Sequence, residues 1–231
     1  MGTKKILICV AAVFAVLAGI FVVRYYIDNR RENFSEDYVL LVYPDMTSQE
    51  ILDTLESITL NQRSLARCFR KEDVASKVKP GRYVISSTST SIYVARMLNF
   101  GWQTPGNLTL SGTIRDKGIL AKKISNQMMA DSAEIASALK DSVFLSQYGF
   151  TPENVFAMIM QDTYEIYWTA SVKDIFDRFK KEYDAFWNIS RVAKAKKQGL
   201  SKMQVSILAS IVSGEHKLAS KYLDILKTAT F

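Results

Sequence analysis

The residue best placed to do chemistry is Glu215, which follows the apolar stretch Leu208-Ala209-Ser210-Ile211-Val212. A carboxyl group beside apolar surface and near the negative end of a helix is pushed toward its neutral form, the state a general acid needs at neutral pH. Gly214 could also end that helix, which would leave Glu215 as a surface residue after a stop. His216 is adjacent, but neighbours on a helix point about 100° apart, so it reads as an exposed histidine and not as half of a dyad or a metal site. A second group, Asp162, Thr163 and Tyr164, continues through Glu165, Tyr167 and Trp168. Aromatic faces stack on sugar rings while hydroxyls and carboxylates take sugar OH groups. The same mixture also suits a packed loop with wet polar tips.

The rest of the chain narrows the chemistry. With one histidine and two cysteines, Cys9 and Cys68, it cannot assemble a His-rich catalytic metal site or a four-cysteine zinc site. No internal disulfide is available to the part outside the apolar N-terminal run, and neither a metal nor a cofactor is expected. P-loop, GxGxxG, HExxH and GxSxG motifs are absent, so nucleotide and triad chemistries lack support. The balance of 30 Lys+Arg against 23 Asp+Glu gives a net charge of +7 over 231 residues. The basic run Arg191, Lys194, Lys196, Lys197 and Lys202 keeps to no single helical stripe and comes with no recognition module, so no nucleic-acid partner is expected. With 48% hydrophobic residues, 4 Pro and 10 Gly, the chain is globular and not disordered.

Candidate chemistry needs elements to hold it. Ile6 to Val23 is an unbroken apolar run between Lys5 and Arg24, long enough to nearly cross a hydrocarbon core of roughly 30 Å, with Tyr25 and Tyr26 at the interface. It reads as an uncleaved anchor over residues 1–27, and the flanking charges do not fix its orientation. Residues 28–37 are polar and suit a stalk. Tyr38 to Tyr43 predicts a strand, and Thr47 with Glu50 a capping box that opens a helix. Leu65, Ala66 and Phe69 mark a second helix, and Arg82 to Ser86 a second strand after the turn Lys79-Pro80-Gly81. The order strand, helix, helix, strand over 38–100 is that of a LysM-type module, and a generic α+β unit would have it too.

Beyond this the chain turns mostly helical. Helices are predicted over 91–99, 114–129, 133–148, 171–187 and 189–198, with a short strand at 107–110 and another helix opening at Pro152. Residues 160–169 are too aromatic and broken for a helix. Residues 201–212 carry almost no polar face, so that last helix is expected to be buried.

Several of these segments together resemble the MltG (YceG-like) family of endolytic peptidoglycan transglycosylases. Pro80-Gly81-Arg82-Tyr83-Val84-Ile85 resembles the family's Gly-x-Tyr strand, and Asn99 to Gly101 and Asn107 to Ser125 continue the likeness. Asp162-Thr163-Tyr164 is similar to its Pro-Asp-Thr-Tyr loop, with Gln161 in place of the proline. Leu208 to Val212 is similar to the stretch before its catalytic glutamate, and that register puts Glu215 on the catalytic position. Ser213 stands where the family usually has a further glutamate, and Ser111-Gly112 where it has Glu-Gly.

The resemblance implies an α+β protein with an N-terminal transmembrane helix, a LysM-like βααβ subdomain and a mostly α-helical partial catalytic domain over 101–231. The tail from Lys217 resembles the family poorly, which implies a C-terminally truncated member. It further implies a single-pass protein of the bacterial inner membrane with its soluble part extracytoplasmic. Glu215 would be catalytic and Asp162, Thr163 and Tyr164 would bind substrate. Peptidoglycan glycan strands would be the substrate, and cell-wall synthesis or division proteins the partners. The competing expectation is a non-catalytic, membrane-tethered glycan-binding or cell-division scaffold protein.

Overall fold

The computed structural model describes residues 2–112, 114 and 116–212, with residues 3–6 described by their backbone alone. The chain is α+β, mostly helical, with two small sheets and one N-terminal apolar helix. It divides into two compact units, Met1–Pro105 and Gly106–Phe231.

Unit 1 begins with α1, Thr3–Asn29. Its segment Leu7–Asn29 is long and apolar enough to cross a membrane, with none of the apolar window covered by protein. The helix continues past the expected end of the anchor, and its last turn is fastened to the rest of the unit. The chain then forms β1 (Tyr38–Val42), α2 (Ser48–Thr54), α3 (Gln62–Glu72), α4 (Val74–Lys77), β2 (Gly81–Ile85) and α5 (Ser91–Phe100). β1 and β2 pair antiparallel, Tyr38 opposite Ile85 and Val42 opposite Gly81. Alternation along the strands turns Leu40, Val42, Tyr83 and Ile85 inward, where they meet Ile51, Leu55, Leu65, Phe69, Val94 and Leu98. The expected capping box opens α2: Thr47 accepts from the Glu50 backbone N–H, and the Glu50 carboxylate accepts from Thr47 N at 2.7 Å. Gly101, at φ +67°, ends α5 in the left-handed region that a side chain would resist.

The segment read from sequence as a stalk is tied into this unit. Phe34 is buried and bridges to Thr59, and Glu32 bridges to Thr90. The Asp28 carboxylate accepts from Arg67 Nη2 at 2.6 Å, Arg67 Nε at 3.2 Å and Ser64 Oγ at 2.6 Å. Ser64 Oγ lies 2.9 Å from Ser91 Oγ, which accepts from Asn33 Nδ2 at 2.9 Å. Asn33 Oδ1 in turn accepts from Asn61 N at 2.7 Å. Ser64, Ser91 and Asn33 are all buried, so each hydrogen bond meets a polar group that would otherwise be stranded in the interior. The network joins the last turn of α1 to α3 and α5.

Burial also sets how unit 1 responds to alkali. It pushes the Cys68 thiol from an ordinary 9.0 up to about 12, with the Asp28 carboxylate adding to the rise. It moves the Tyr83 hydroxyl, which donates to Lys79 O at 2.7 Å, up to about 12 as well. Both groups ionise first in the unfolded chain, which therefore holds fewer protons there. The stability they confer is intact below about pH 9 and is lost as the pH rises toward about 12. Urea midpoints followed by circular dichroism should fall across that window, and less steeply in Cys68→Ala. A flat midpoint would contradict the burial argument.

Unit 2 contains β3 (Gly106–Thr109), α6 (Lys117–Ser125), α7 (Ser132–Ala138), α8 (Ser142–Ser146), β4 (Thr163–Ile166), α9 (Val172–Phe186) and α10 (Ile189–Lys197), followed by α11 (Lys202–Val212). Three expectations are corrected here. The single helix over 133–148 is two short ones, because Asp141 Oδ1 accepts from the N–H groups of Val143 and Phe144 and starts a new helix. The helix over 114–129 is shorter, since Asp116 caps it at Ile119 N. The chain after Pro152 makes only a three-residue 3-10 turn, Val155–Ala157. α9 matches its reading: Ser171 and Asp174 form a capping box, and Val172, Ile175, Phe176, Phe179 and Tyr183 are buried. These residues pack with Leu108, Leu120, Ile124, Ile135, Leu145, Val155 and Tyr164 into one core.

Candidate functional site

The Asp162 to Tyr164 segment is where unit 2 offers polar groups in an ordered frame. Residues 163–166 form β4 and pair antiparallel with β3, with Thr163 opposite Thr109, Tyr164 opposite Leu108 and Glu165 opposite Asn107. The sequence reading excluded a helix here and missed the strand. Its only local signal was the alternation Thr-Tyr-Glu-Ile. The β3–β4 pairing is extended by Leu110 N, which donates to Asp162 O at 2.9 Å. Gln127 clamps its end, accepting from Thr109 N at 2.9 Å and donating to Thr109 O at 3.1 Å.

The pleat turns Thr163 and Tyr164 to opposite sides of β4. Asp162 and Thr163 are exposed, with Thr163 Oγ1 3.1 Å from Thr109 Oγ1 and Asp162 Oδ1 accepting from Thr163 N at 2.7 Å. Tyr164 points the opposite way, at 1% exposure. Its hydroxyl donates to Met160 O at 2.6 Å, and its ring meets Phe179 edge-on with centroids 4.9 Å apart. Burial holds that hydroxyl well above the usual tyrosine range, and the negative charges of Asp162 and Glu182 add to the rise. Tyr164 therefore holds the strand in place, while Asp162 and Thr163 remain open to a ligand.

Asn107 and Thr109, which the sequence reading passed over, share the outer face with Thr163 and Glu165. Asn107, Thr109 and Glu165 are exposed beside Thr163, so one side of the β3–β4 pair presents an amide, two hydroxyls and a carboxylate. All of these accept hydrogen bonds and three can also donate, as recognition of a polyhydroxylated ligand requires. On α9, Arg178 and Glu182 form an ion pair at 2.9 Å whose charges reach the Tyr164 hydroxyl. The Arg178 Nε is buried and has no partner among the described residues.

α11 forms as predicted, but the expectation that it is buried is corrected. Met203 and Val205 lean on the core of unit 2, and the helix then runs past it. Ile207, Leu208, Ile211 and Val212 are 45%, 47%, 55% and 66% exposed, because no described element lies over them. An all-apolar helix states a demand for burial without naming the surface that meets it. Glu215 and His216 lie outside the described residues.

A model of the YceG-like family matches residues 40–226. Among solved structures, the chain is similar to a YceG-like protein from Listeria monocytogenes, at 18% identity and a TM-score of 0.40. That likeness covers 72% of this chain and 60% of the Listeria chain. A search of curated proteins gives no match.

Proposed function

Because the chain belongs to the YceG-like family, we propose that it is a membrane-anchored endolytic transglycosylase of peptidoglycan. It cuts the β-1,4 bond between N-acetylmuramic acid and N-acetylglucosamine in nascent strands and leaves a 1,6-anhydro end. The observation that carries this reading is the extent of the family match, residues 40–226, which takes in the β3–β4 pair with Asp162 and Thr163 as well as Glu215. α1 supports the tether, and the reading places the protein in the inner membrane with its soluble part outside the cytoplasm. Unit 1 is the LysM-like part, and cell-wall synthesis or division proteins are its neighbours.

Glu215 is the general acid. It gives its proton to the glycosidic oxygen as the bond from that oxygen to the anomeric carbon breaks. The muramyl 6-hydroxyl then attacks the anomeric carbon and returns its proton to the carboxylate, so one carboxyl group closes the cycle and no water is consumed. A two-carboxylate hydrolase would need a second acid placed across the scissile bond. Asp162 and Thr163 instead hold sugar hydroxyls from the start of β4.

The test is to give the purified full chain, in detergent, uncrosslinked glycan strands and to follow chain length by chromatography. Shortening to internal fragments is the expected result. Strands that are bound but never shortened would overturn the enzymatic reading in favour of a glycan-binding scaffold.

A further inference from the structure

We infer that unit 1 is seated on the bilayer by a cationic stripe of α3, made by Arg63, Arg67, Arg70 and Lys71, which binds the phosphate headgroups of acidic phospholipids together with Arg24, Arg30 and Arg31 of α1. The inference rests on α1 spanning the membrane and is independent of the cutting chemistry.

The net charge of the chain is concentrated in these two places. Segments 24–31 and 63–71 carry seven of the 30 Lys+Arg and one of the 23 Asp+Glu, which leaves 23 against 22 elsewhere. The segments meet at Asp28, whose carboxylate accepts from Arg67 Nη2 and from Ser64 Oγ, each at 2.6 Å. Lys71 is near enough for its charge to act on the same carboxylate. At 3.6 residues per turn, Arg63, Arg67, Arg70 and Lys71 fall within one arc of about 100°, opposite the buried Leu65, Cys68 and Phe69. Glu72 lies outside that arc and is held by Arg96 at 3.2 Å. Among the described residues Arg67 alone of the seven cations has an ion pair, and the other six are exposed.

Height above the hydrocarbon selects the occupant. Asp28 stands one turn beyond Arg24, the first charge after the apolar run, which is about 6 Å along the helix axis. The headgroup layer of a bilayer is itself about 5 to 8 Å deep. Arg67, held against Asp28, is therefore fixed at headgroup level. Arg63 and Arg70 flank it one turn away in each direction, about 5 to 6 Å off on the helix surface, within reach of the same layer. The planar fork of arginine takes phosphate oxygens in pairs, and each cation at an acidic bilayer surface strengthens attachment about fivefold. A dissolved anionic polymer would have to displace lipid that the anchor already places beside these side chains.

The experiment reconstitutes the full chain in nanodiscs of phosphatidylglycerol and phosphatidylcholine, in equal amounts and with matched acyl chains. Native mass spectrometry then identifies the lipids that stay on the protein when the disc is disrupted. These should be enriched in phosphatidylglycerol about fivefold or more at low salt, and less in about 0.5 M salt. The triple variant Arg63→Gln, Arg70→Gln, Lys71→Gln spares the contact between Arg67 and Asp28, so it should keep its fold by circular dichroism and lose most of the enrichment. Lys194→Gln, Lys196→Gln, Lys197→Gln removes the same charge from exposed positions of α10 and should keep the enrichment. Equal retention of both lipids by the wild type overturns the inference, as does an enrichment that survives the first variant or falls equally in the second. Heparin bound as tightly in acidic discs as in neutral ones overturns it in favour of a soluble polyanion. A chain that stays outside the discs overturns it together with the span.

Discussion

Glu215→Gln is expected to reduce the release of glycan fragments by about 10²- to 10⁴-fold, the usual contribution of a positioned proton donor. The substitution keeps size and hydrogen-bonding capacity but removes the titrating proton, so strand binding should persist. The separation of the two readouts makes the test specific. Loss of both cutting and binding would assign Glu215 a role in holding the strand, and unchanged cutting would remove it from the chemistry. Asp162→Asn should behave differently. If Asp162 only grips hydroxyls, half-saturating strand concentration rises while the maximal rate changes little.

The largest effect on stability is expected from Phe179→Ala in the core of unit 2. Phe179 is fully buried, meets Tyr164 edge-on at 4.9 Å and lies 6.0 Å from Phe176. Truncation removes the transfer energy of the ring and leaves a cavity between α9 and β4, for a loss of about 3 to 5 kcal/mol. Because Trp168 and Trp187 are buried in this unit, their emission in a urea titration reads the change. A shift of under about 1 kcal/mol would mean that the site collapses around the missing ring. Loss of the Phe179 contact should also loosen Tyr164, and with it the strand that presents Asp162 and Thr163, so cutting should fall even where the protein remains folded.

What the sequence disclosed follows from the range of each interaction. The Thr47–Glu50 box and the apolar face of α9 are local, and their residues state them directly. The strands β1 and β2 were legible from their β-branched and aromatic residues, while which of those turn inward was not. Long-range pairing was hidden. Thr163 meets Thr109 across 54 residues, and a four-residue strand has too little pattern to announce its partner. Asn33 looks like an ordinary polar linker residue until its bonds to Ser91 and Asn61 are seen. The split of 133–148 was hidden because Asp141 reads equally well as an exposed helical position or as a cap. Of the candidate site, Asp162 and Thr163 were singled out through the resemblance of Asp162-Thr163-Tyr164 to the family's loop, with their polarity in keeping with it. Tyr164 was grouped with them because a sequence does not say which side of a strand faces the core until its pairing is known.

The central claim is that one carboxyl group and the sugar's own hydroxyl do the cutting, and the new chain ends report on it most directly. Strands should be digested in water enriched in heavy oxygen and the fragments weighed by mass spectrometry. The account predicts anhydro-muramyl ends, lighter by one water than a reducing end and free of the heavy label. Reducing ends that carry the label would mean that water attacks the anomeric carbon, and would contradict it.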